Sequence, residues 1–385
     1  MSTSKIEIKS SALFSNINFL KGIYGENTRI SVVVKGNAYG HGIENVVPVF
    51  ENAGIDHFSV FSSGEAHRVL NVKSRKTCIM IMGFIDPGDL EWVISNGVEF
   101  YIFEPSYLQR ALEISKRIHK KACIHLEIET GMYRTGMTKP ELREAITIIN
   151  DNPEFFYIKG IATHLAGAES IANYHRIMKQ LKLFRKRVSF LHKNHIESEI
   201  MHTASSAASI TYPKSRLDLV RAGIIAYGFW PTRETYMQFI LGNHERIDPL
   251  KRAISWKSEI MSLKNVPEGE FIGYGYNFQA PHDMQVAIVP VGYANGYSRM
   301  LSNNGHVLVK GNRADVIGTV NMNMILINTS DIHEVQCGEE VVLLGKQEEN
   351  EITVASFSEM NNSMNYELLS RLPERIERVV IEFNK

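Results

Sequence analysis

The chain has 385 residues, which exceeds the usual size of a single hydrophobic core and predicts two domains. Hydrophobic residues make up 44% and charged residues 22% of the chain, a balance typical of a globular protein rather than a disordered or fibrous one. Lysine plus arginine equals aspartate plus glutamate at 42 each, so no global field attracts nucleic acid or an anionic membrane. The three cysteines lack metal-type spacing, so we predict neither a disulfide framework nor a metal site.

No segment of the sequence predicts export or membrane insertion. The N-terminal residues MSTSKIEIKS contain no apolar signal core, and the longest apolar stretch, around Cys78 to Phe84, is too short to cross a bilayer. We therefore expect a cytoplasmic protein without a membrane partner, and a reducing compartment agrees with the odd number of cysteines.

Short apolar runs rich in β-branched residues alternate with amphipathic stretches through the first 240 residues. Strand alternating with helix predicts parallel βαβ units, and eight such units predict a (β/α)8 TIM-type barrel over residues 10–240. The predicted strands are Ile30–Val34, Phe58–Phe61, Thr77–Phe84, Val98–Phe103, Ala122–Ile128, Tyr157–Thr163, Glu199–His202 and Leu217–Ile224.

The rhythm changes after about Trp230, where strand-like runs are separated by Gly, Asn, Asp and Pro turns. This pattern predicts a mostly antiparallel C-terminal β domain over residues 245–385. The N-terminal strand 1–9 is a candidate to join that domain, although nothing local decides it. The predicted strands are Ala253–Leu263, Met284–Val291, His306–Val309, Ala314–Ile317, Met324–Asn328 and Glu340–Leu344, with a closing helix near Asn365–Leu372.

Polar side chains cluster where the predicted barrel strands end, the face at which such barrels carry their reactive groups. Lys35 directly follows SVVV, and a lysine desolvated at the end of a buried strand has a low pKa and an amine available to a carbonyl. A surface lysine just past the strand is the ordinary alternative. The loops after strands 7 and 8 commonly hold phosphate, and Ser205, Ser206, Gly223 and Ile224 fall there, with helix capping as the alternative for the serines.

Eight sequence blocks then resemble, in order, the signature blocks of the alanine racemase family, a group of fold-type III enzymes that depend on pyridoxal 5'-phosphate (PLP). One short lysine motif would be weak, but eight in order over nearly the whole chain make chance very improbable. The blocks are VVVKGNAYGHG, ETGMYRTGM, THLAGAE, HTASSAA, VRAGIIAYG, IGYGYNF, VGYANGYSR and NYELLSR. The resemblance implies a PLP-binding barrel followed by a β domain.

The same resemblance implies roles for residues of the reacting centre. Lys35 binds PLP and exchanges the Cα proton on one face of the amino acid, and Tyr274 exchanges it on the other. His164 is the hydrogen-bonding partner of that tyrosine, with His202 extending the network. Arg221 faces the pyridine nitrogen, and the alternative is a structural arginine paired with a carboxylate such as Asp218. For Tyr274 the alternative is an aromatic residue packed on a strand of the β domain.

Substrate orientation and cofactor contacts follow from the resemblance in the same way. Arg134 and the backbone amide of Met322 approach the substrate carboxylate, while Tyr39 packs against PLP and Tyr366 contacts its phosphate. Tyr293 and Arg299 line the route by which substrate enters. In the family Tyr274 and Met322 come from the second subunit, so a homodimer with shared active sites is implied.

Several positions depart from the family pattern. Glu127 stands where many members carry a carboxylated lysine; strand alternation predicts that it faces the barrel interior and orients Arg134, with an exposed carboxylate as the alternative. The other departures change charge near the substrate without touching the proton-transfer pair. They are Ser205, Asn295, Thr319, Asn321 and Asn323.

The activity implied is the interconversion of L- and D-alanine, which supplies D-alanine for cell-wall peptidoglycan. A racemase for serine, lysine or a broad range of amino acids would share every catalytic residue. A PLP-dependent decarboxylase of the same barrel class would need an acidic partner for the pyridine nitrogen, which Arg221 opposes. A PLP-binding protein without catalytic activity would need neither the β domain nor Tyr274.

Overall fold

The computed structural model describes residues 3–242, 247–354 and 365–381. The chain divides into two compact units, one of residues 12–35 and 47–252 and the other of residues 1–11, 36–46 and 253–385. Within the described ranges, no helix is both long and apolar enough to cross a membrane.

The first unit is built on eight parallel strands that form one sheet, with spatial order β8-β7-β6-β5-β4-β3-β2-β9. The sheet nearly closes, because Arg221 N–H donates to the Ala204 carbonyl at 3.0 Å beside β8. The predicted barrel is therefore confirmed. The strands are β2 (Arg29–Val33), β3 (His57–Val60), β4 (Cys78–Ile81), β5 (Glu99–Ile102), β6 (Ala122–Glu127), β7 (Phe156–Ala162), β8 (Ile200–His202) and β9 (Leu219–Ala222).

Helices alternate with these strands, as the amphipathic stretches predict. The helix Lys139–Asn150 begins where Glu141 accepts a 2.7 Å hydrogen bond from the backbone N–H of Thr138, which satisfies a donor at the helix start. The α-helices of the described chain up to Leu241 are Ser10–Tyr24, Ile43–Asn52, Ser63–Val72, Leu90–Ser95, Pro105–Ile118, Lys139–Asn150, Tyr174–His192, Ser206–Thr211 and Arg233–Leu241. Short 3-10 helices occupy Pro153–Phe155, Ile171–Asn173, Pro213–Ser215 and Ile224–Tyr227.

The second unit contains a mostly antiparallel sheet with spatial order β11-β12-β15-β14-β13-β16-β10-β1-β18, and β17 pairs with β16. Its apolar core includes Ile6, Ile8 and Trp256, all fully buried. The strands are β1 (Ser4–Lys9), β10 (Ile254–Glu259), β11 (Ser262–Val266), β12 (Met284–Val289), β13 (His306–Val309), β14 (Asn312–Ile317), β15 (Ile325–Asn328), β16 (Glu340–Gln347), β17 (Asn350–Ile352) and β18 (Glu377–Ile381). The helix Asn365–Arg371 and the 3-10 helices Tyr293–Asn295 and Arg299–Leu301 complete it.

One predicted strand of this unit is wrong. The run Ala253–Leu263 forms two strands, because the chain changes partners at Ile260 and Met261: β10 pairs with β1 and β16, whereas β11 pairs with β12. The N-terminal strand β1 lies in this sheet, antiparallel to β10 and parallel to β18.

A left-handed turn covers Gly36–Tyr39, directly after Lys35. All four residues have φ between 51° and 61°, a region that ordinary side chains rarely adopt. The ring of His41 holds the turn, because its Nδ1–H donates to the carbonyls of Ala38 and Tyr39 at 3.0 Å each. Gly40 has no room for a side chain, since a Cβ there would overlap the carbonyl oxygen of Leu369.

Candidate active site

Lys35 lies at the C-terminal end of β2, where the backbone N–H of Val34 still bonds to the neighbouring strand through Ser59 at 2.9 Å. Its side chain is exposed to solvent. Desolvation by the surrounding protein nevertheless lowers the pKa of the Lys35 ammonium, and the positive charges of Arg134 and Arg221 lower it further. A lowered pKa increases the fraction of neutral amine at a given pH.

Arg221, on β9, is 5% exposed and bonds to uncharged groups. One Nη1 hydrogen points at Nδ1 of His202 at 2.6 Å, and Nη2 donates to the carbonyls of Thr163 and Thr203 at 2.9 and 3.1 Å. The alternative pairing with Asp218 is wrong, because the Asp218 carboxylate instead accepts from the backbone N–H of Met201 at 2.7 Å. The guanidinium is therefore a buried cation held by neutral acceptors.

His164 and Arg134 belong to the same electrostatic neighbourhood. Burial lowers the pKa of His164 to about 3, and the charges of Arg221, Arg134 and Lys35 act in the same direction. His164 is consequently neutral at physiological pH and able to accept a hydrogen bond. The cluster of Lys35, Arg134, His164 and Arg221 at the strand ends thus carries positive charge suited to an anionic ligand.

Ser206 and Gly223 join the loops that follow β8 and β9. The Gly223 N–H donates to the Ser206 hydroxyl oxygen at 2.9 Å, and both residues are buried. Ser205 is the residue before the helix Ser206–Thr211, and its side chain makes no capping hydrogen bond. Ile224 begins the next short 3-10 helix. Hydroxyl and backbone N–H groups therefore meet where the sequence predicts phosphate binding.

Glu127 is 4% exposed, so the alternative of an exposed strand-end carboxylate is wrong. Burial raises the pKa of its carboxyl, opposed by a hydrogen bond from Thr135 and by the charges of Arg221 and Arg134. Oε2 of Glu127 is buried and accepts no hydrogen bond from Arg134. Any effect of Glu127 on Arg134 passes through their shared loop and through charge.

Glu129 shapes that loop, and the sequence analysis did not single it out. Its carboxylate accepts backbone hydrogen bonds from Gly131, from Met132 at 2.9 Å and from Tyr133 at 2.7 Å. The turn also needs Gly136, at φ 104°, because a Cβ there would lie 2.8 Å from the Glu129 nitrogen. The loop that carries the exposed Arg134 is therefore fixed from inside by one carboxylate.

Tyr39 and Tyr366 pack together in the second unit, with ring centroids 6.3 Å apart in an edge-to-face arrangement. Tyr39 is the last residue of the left-handed turn, and Tyr366 lies in the first turn of the helix Asn365–Arg371. The turn and the helix thus bring together the two tyrosines that the resemblance assigns to PLP.

Tyr274 lies between β11 and β12 and is 72% exposed, so it is a surface side chain of this unit rather than a packed strand aromatic. Glycines with positive φ, Gly273 and Gly275, flank it. Its carbonyl accepts a 3.4 Å hydrogen bond from the Thr319 hydroxyl, which itself accepts from Asn277 at 2.5 Å. The departure Thr319 thus supports the backbone of the proposed acid/base.

Met322 and Tyr293 lie on two loops that bond to one another. The N–H groups of Tyr293 and Ala294 donate to the carbonyls of Asn321 and Met322 at 3.0 and 2.9 Å, and a Cβ on Gly292 would overlap both carbonyls. The side chains of Met322 and Tyr293 are exposed, as is that of Arg299. The departure Asn295 accepts from the Gly292 N–H at 3.2 Å.

The donor groups of the first unit fit the PLP that the resemblance implies. PLP offers a carbonyl, a phosphate and a ring nitrogen. A lysine with a lowered pKa, a hydroxyl beside backbone N–H groups and a guanidinium without a carboxylate partner are the complementary groups. Among the described residues, no group of histidine, cysteine and carboxylate side chains is arranged to hold a metal ion.

Comparison with known proteins identifies the family. Residues 8–231 match the alanine racemase N-terminal domain and residues 253–380 the alanine racemase C-terminal domain. Alanine racemase 1 of Caldanaerobacter subterraneus subsp. tengcongensis is 32% identical over 377 residues, covering 98% of this chain and 94% of that protein.

Solved structures agree. Alanine racemase of Clostridium difficile 630 superposes with a TM-score of 0.91 at 29% identity, covering 100% of this chain and 97% of that one. Alanine racemase from Bartonella henselae, with covalently bound pyridoxal phosphate, gives 0.82 at 26% identity over 99% and 100% of the two chains. The family match and the shared fold agree, and the chain belongs to the alanine racemase family of isomerases.

Proposed function

We propose that this chain interconverts L- and D-alanine with PLP as its cofactor. The observation that carries the proposal is the cluster at the barrel strand ends, where Lys35 has a lowered pKa beside Arg134 and Arg221 in a chain of this family. The Bartonella henselae relative binds pyridoxal phosphate covalently, which supports the same cofactor here.

The residues proposed to hold PLP are those whose chemistry complements it. Lys35 would bind its carbonyl carbon, Ser206 with the backbone of Gly223 and Ile224 its phosphate, and Arg221 its ring nitrogen. When bound, PLP withdraws electrons from the amino acid and makes its Cα proton acidic. Tyr39, Tyr366 and His164 complete the proposed contacts, and His202 supports Arg221.

Inversion requires that a proton leave one face of Cα and another arrive on the opposite face. We assign these two transfers to Nζ of Lys35 and Oη of Tyr274. The lowered pKa of Lys35 increases the fraction of neutral amine that can accept a proton. His164, neutral because of its low pKa, is the proposed acceptor for the Tyr274 hydroxyl.

Two groups are proposed to orient the substrate carboxylate. Arg134 offers a guanidinium on a loop fixed by Glu129, and the Met322 N–H makes no hydrogen bond within the described part of the chain. Arg221 argues for racemisation over decarboxylation, because its partners leave no carboxylate at that position. Tyr293 and Arg299 would line the route to the site.

We also propose that two copies assemble and that Tyr274 and Met322 serve the partner's site. The support is that large side chains of the second unit are exposed, among them Tyr274 at 72%, Tyr276 at 85% and Met322 at 55%. Exposed apolar surfaces of this kind mark assembly interfaces. The product D-alanine would supply peptidoglycan synthesis in the cytoplasm.

The test is chemical and kinetic. Borohydride should fix PLP to the protein, and peptide mapping should locate it on Lys35. The holoenzyme should then interconvert L- and D-alanine in deuterium oxide with deuterium appearing at Cα. Fixation at another lysine would remove the assignment of Lys35. Rapid turnover of a different amino acid with negligible alanine turnover would overturn the substrate.

A further inference from the structure

A chain of buried polar side chains runs through the barrel interior beyond Arg221. Nε2 of His202 lies 2.9 Å from Nδ1 of His125, and Nε2 of His125 lies 2.8 Å from Oε2 of Glu99. The same oxygen also contacts Nε2 of His57 at 3.1 Å, and His57 Nδ1 reaches the Ser31 hydroxyl at 2.8 Å. Glu99 is 4% exposed and all three histidines are fully buried.

Counting donors and acceptors gives these hydrogen bonds one consistent direction. A guanidinium can only donate, so Nδ1 of His202 must accept from Arg221 and its proton must be on Nε2. That proton is donated to Nδ1 of His125, whose own proton is then on Nε2 and is donated to Glu99. An ionised carboxylate accepts from both His125 and His57. With His125 and His202 both neutral, each of these contacts joins one donor to one acceptor.

The electrostatics agree with that assignment. Burial lowers the pKa of His125 and of His202, so both rings are neutral at physiological pH. Hydrogen bonds from His125 and His57 hold the pKa of Glu99 far below its usual range despite its burial. Two neutral rings therefore connect a buried anion at Glu99 to a buried cation at Arg221.

Among the described residues, the Glu99 carboxylate accepts hydrogen bonds only from His125 and His57. The nearby cation Lys159 is engaged elsewhere, because its ammonium pairs with Glu199 at 2.6 Å. The barrel has space for the His125 ring only because residue 160 is glycine. Gly160 on β7 does not have a positive φ, yet a Cβ there would overlap the ring of His125. A glycine is required at that position by the histidine, not by the backbone.

We propose that Glu99 is a positioning residue, which acts through His125 and His202 to fix the tautomer that holds the Arg221 guanidinium in place. Without a fixed acceptor beyond it, His125 can place its proton on Nδ1. His202 would then carry its proton on Nδ1, facing an N–H of Arg221, and the two donors would repel. The effect of Glu99 on catalysis rests on the proposed function of Arg221. The tautomer of His202 does not depend on that function.

The first test reads the tautomers directly. Magic-angle-spinning ¹⁵N spectra of the histidine-labelled holoenzyme, assigned by signal loss in His125→Asn and His202→Asn, should show both rings neutral with the proton on Nε2 near neutral pH. A proton on Nδ1 of His202, or a cationic His202, would overturn the proposal. This readout is independent of alanine turnover. It therefore separates failure of the proposed function from failure of the proposed role of Glu99.

The second test compares two substitutions of Glu99. Glu99→Gln keeps an acceptor oxygen of the same length and should preserve the tautomers and most of kcat. Glu99→Met removes the acceptor, should shift the His202 tautomer and should lower kcat about tenfold or more with little change in KM, because a buried hydrogen-bond network loses its anchor. Equal kcat and unchanged tautomers in Glu99→Met would contradict the proposal.

A steric variant checks the same link without removing a polar atom. Gly160→Ala should displace the His125 ring and lower kcat as Glu99→Met does, with the same change in the His202 signal. Gly22→Ala is the matched control, because a Cβ on Gly22 meets nothing within 4 Å. A Gly160→Ala protein with displaced His125 signals but unaltered His202 signals and kcat would break the proposed connection. If Gly160→Ala does not fold, the wild-type and Glu99→Gln spectra still decide the tautomer.

Discussion

The hydroxyl oxygen of Ser206 accepts a 2.9 Å hydrogen bond from the backbone N–H of Gly223, which ties the loop after β8 to the loop after β9. The two loops are the proposed phosphate site, so this bond sets their spacing before any ligand arrives.

Ser206→Ala should weaken PLP binding about tenfold, because it leaves a buried N–H without an acceptor and removes a proposed phosphate contact. Ser189→Ala is the control, since Ser189 is an exposed serine of the helix Tyr174–His192 and is no part of the proposed site. Titration of the apoenzyme with PLP, followed by absorbance, measures both. Equal weakening in the two variants would contradict the role of Ser206.

Glu129→Gln should raise the KM for alanine several-fold, roughly 5- to 10-fold, with a smaller effect on kcat. The amide replaces one carboxylate oxygen with a donor, so the backbone N–H groups of Met132 and Tyr133 cannot both be satisfied and the Arg134 loop loosens. Steady-state kinetics provide the measurement. Glu144→Gln, an exposed glutamate on the next helix, should behave as wild type.

Thr319→Val should lower kcat several-fold while leaving PLP affinity unchanged. The substitution removes the hydroxyl that donates to the Tyr274 carbonyl and accepts from Asn277, but it retains the shape of the side chain. Thr319→Ser keeps the hydroxyl and should restore the rate. If the serine variant is as slow as the valine variant, the hydroxyl does not support Tyr274.

The stability of the protein should fall between about pH 6.5 and pH 4 in part through His41. Burial lowers its pKa from 6.5 to about 4, so below pH 6.5 the unfolded chain binds more protons than the folded one and stability decreases with acidification. At pH 5 the loss from this residue is about 2 kcal/mol. His41→Asn keeps a donor for the carbonyls of Ala38 and Tyr39 but cannot titrate.

Urea unfolding near pH 7.5 and pH 5 checks this effect in wild type and His41→Asn. The variant should lose about 2 kcal/mol less than wild type between the two pH values. His125, His164 and His202 also have lowered pKa values, so a residual decrease should remain in the variant. An identical decrease in both proteins would show that His41 does not titrate as its burial implies.

The barrel was predictable because each of its strands is a short β-branched run between amphipathic stretches. Each of the eight runs overlaps a strand, and Cys78–Ile81 is shorter than the predicted Thr77–Phe84. The second unit was harder, since antiparallel strands are delimited by partners rather than by local pattern. The run Ala253–Leu263 looks continuous, yet its two halves pair with different strands. Strand β18 was not predicted, although it contains the β-branched run Val379, Val380 and Ile381.

The candidate site was likewise predictable only in part from the sequence. Strand-end position marked Lys35, Arg134 and Arg221, because barrel strands place their last residues at one face. Glu99 and His57 were missed, although each is a polar first residue of a short buried strand. That signal could have flagged them, but only the structure shows that one carboxylate oxygen serves two imidazoles.

Strand β1 is synthesised first, but the two strands that pair with it are synthesised much later. Its two partners are β10, which begins at Ile254, and β18, which begins at Glu377. All eight barrel strands, ending at Ala222, leave the ribosome before either partner does. The nascent barrel can therefore assemble while β1 waits with unpaired edges, and ribosome-bound chains should depend on chaperones most strongly during that interval.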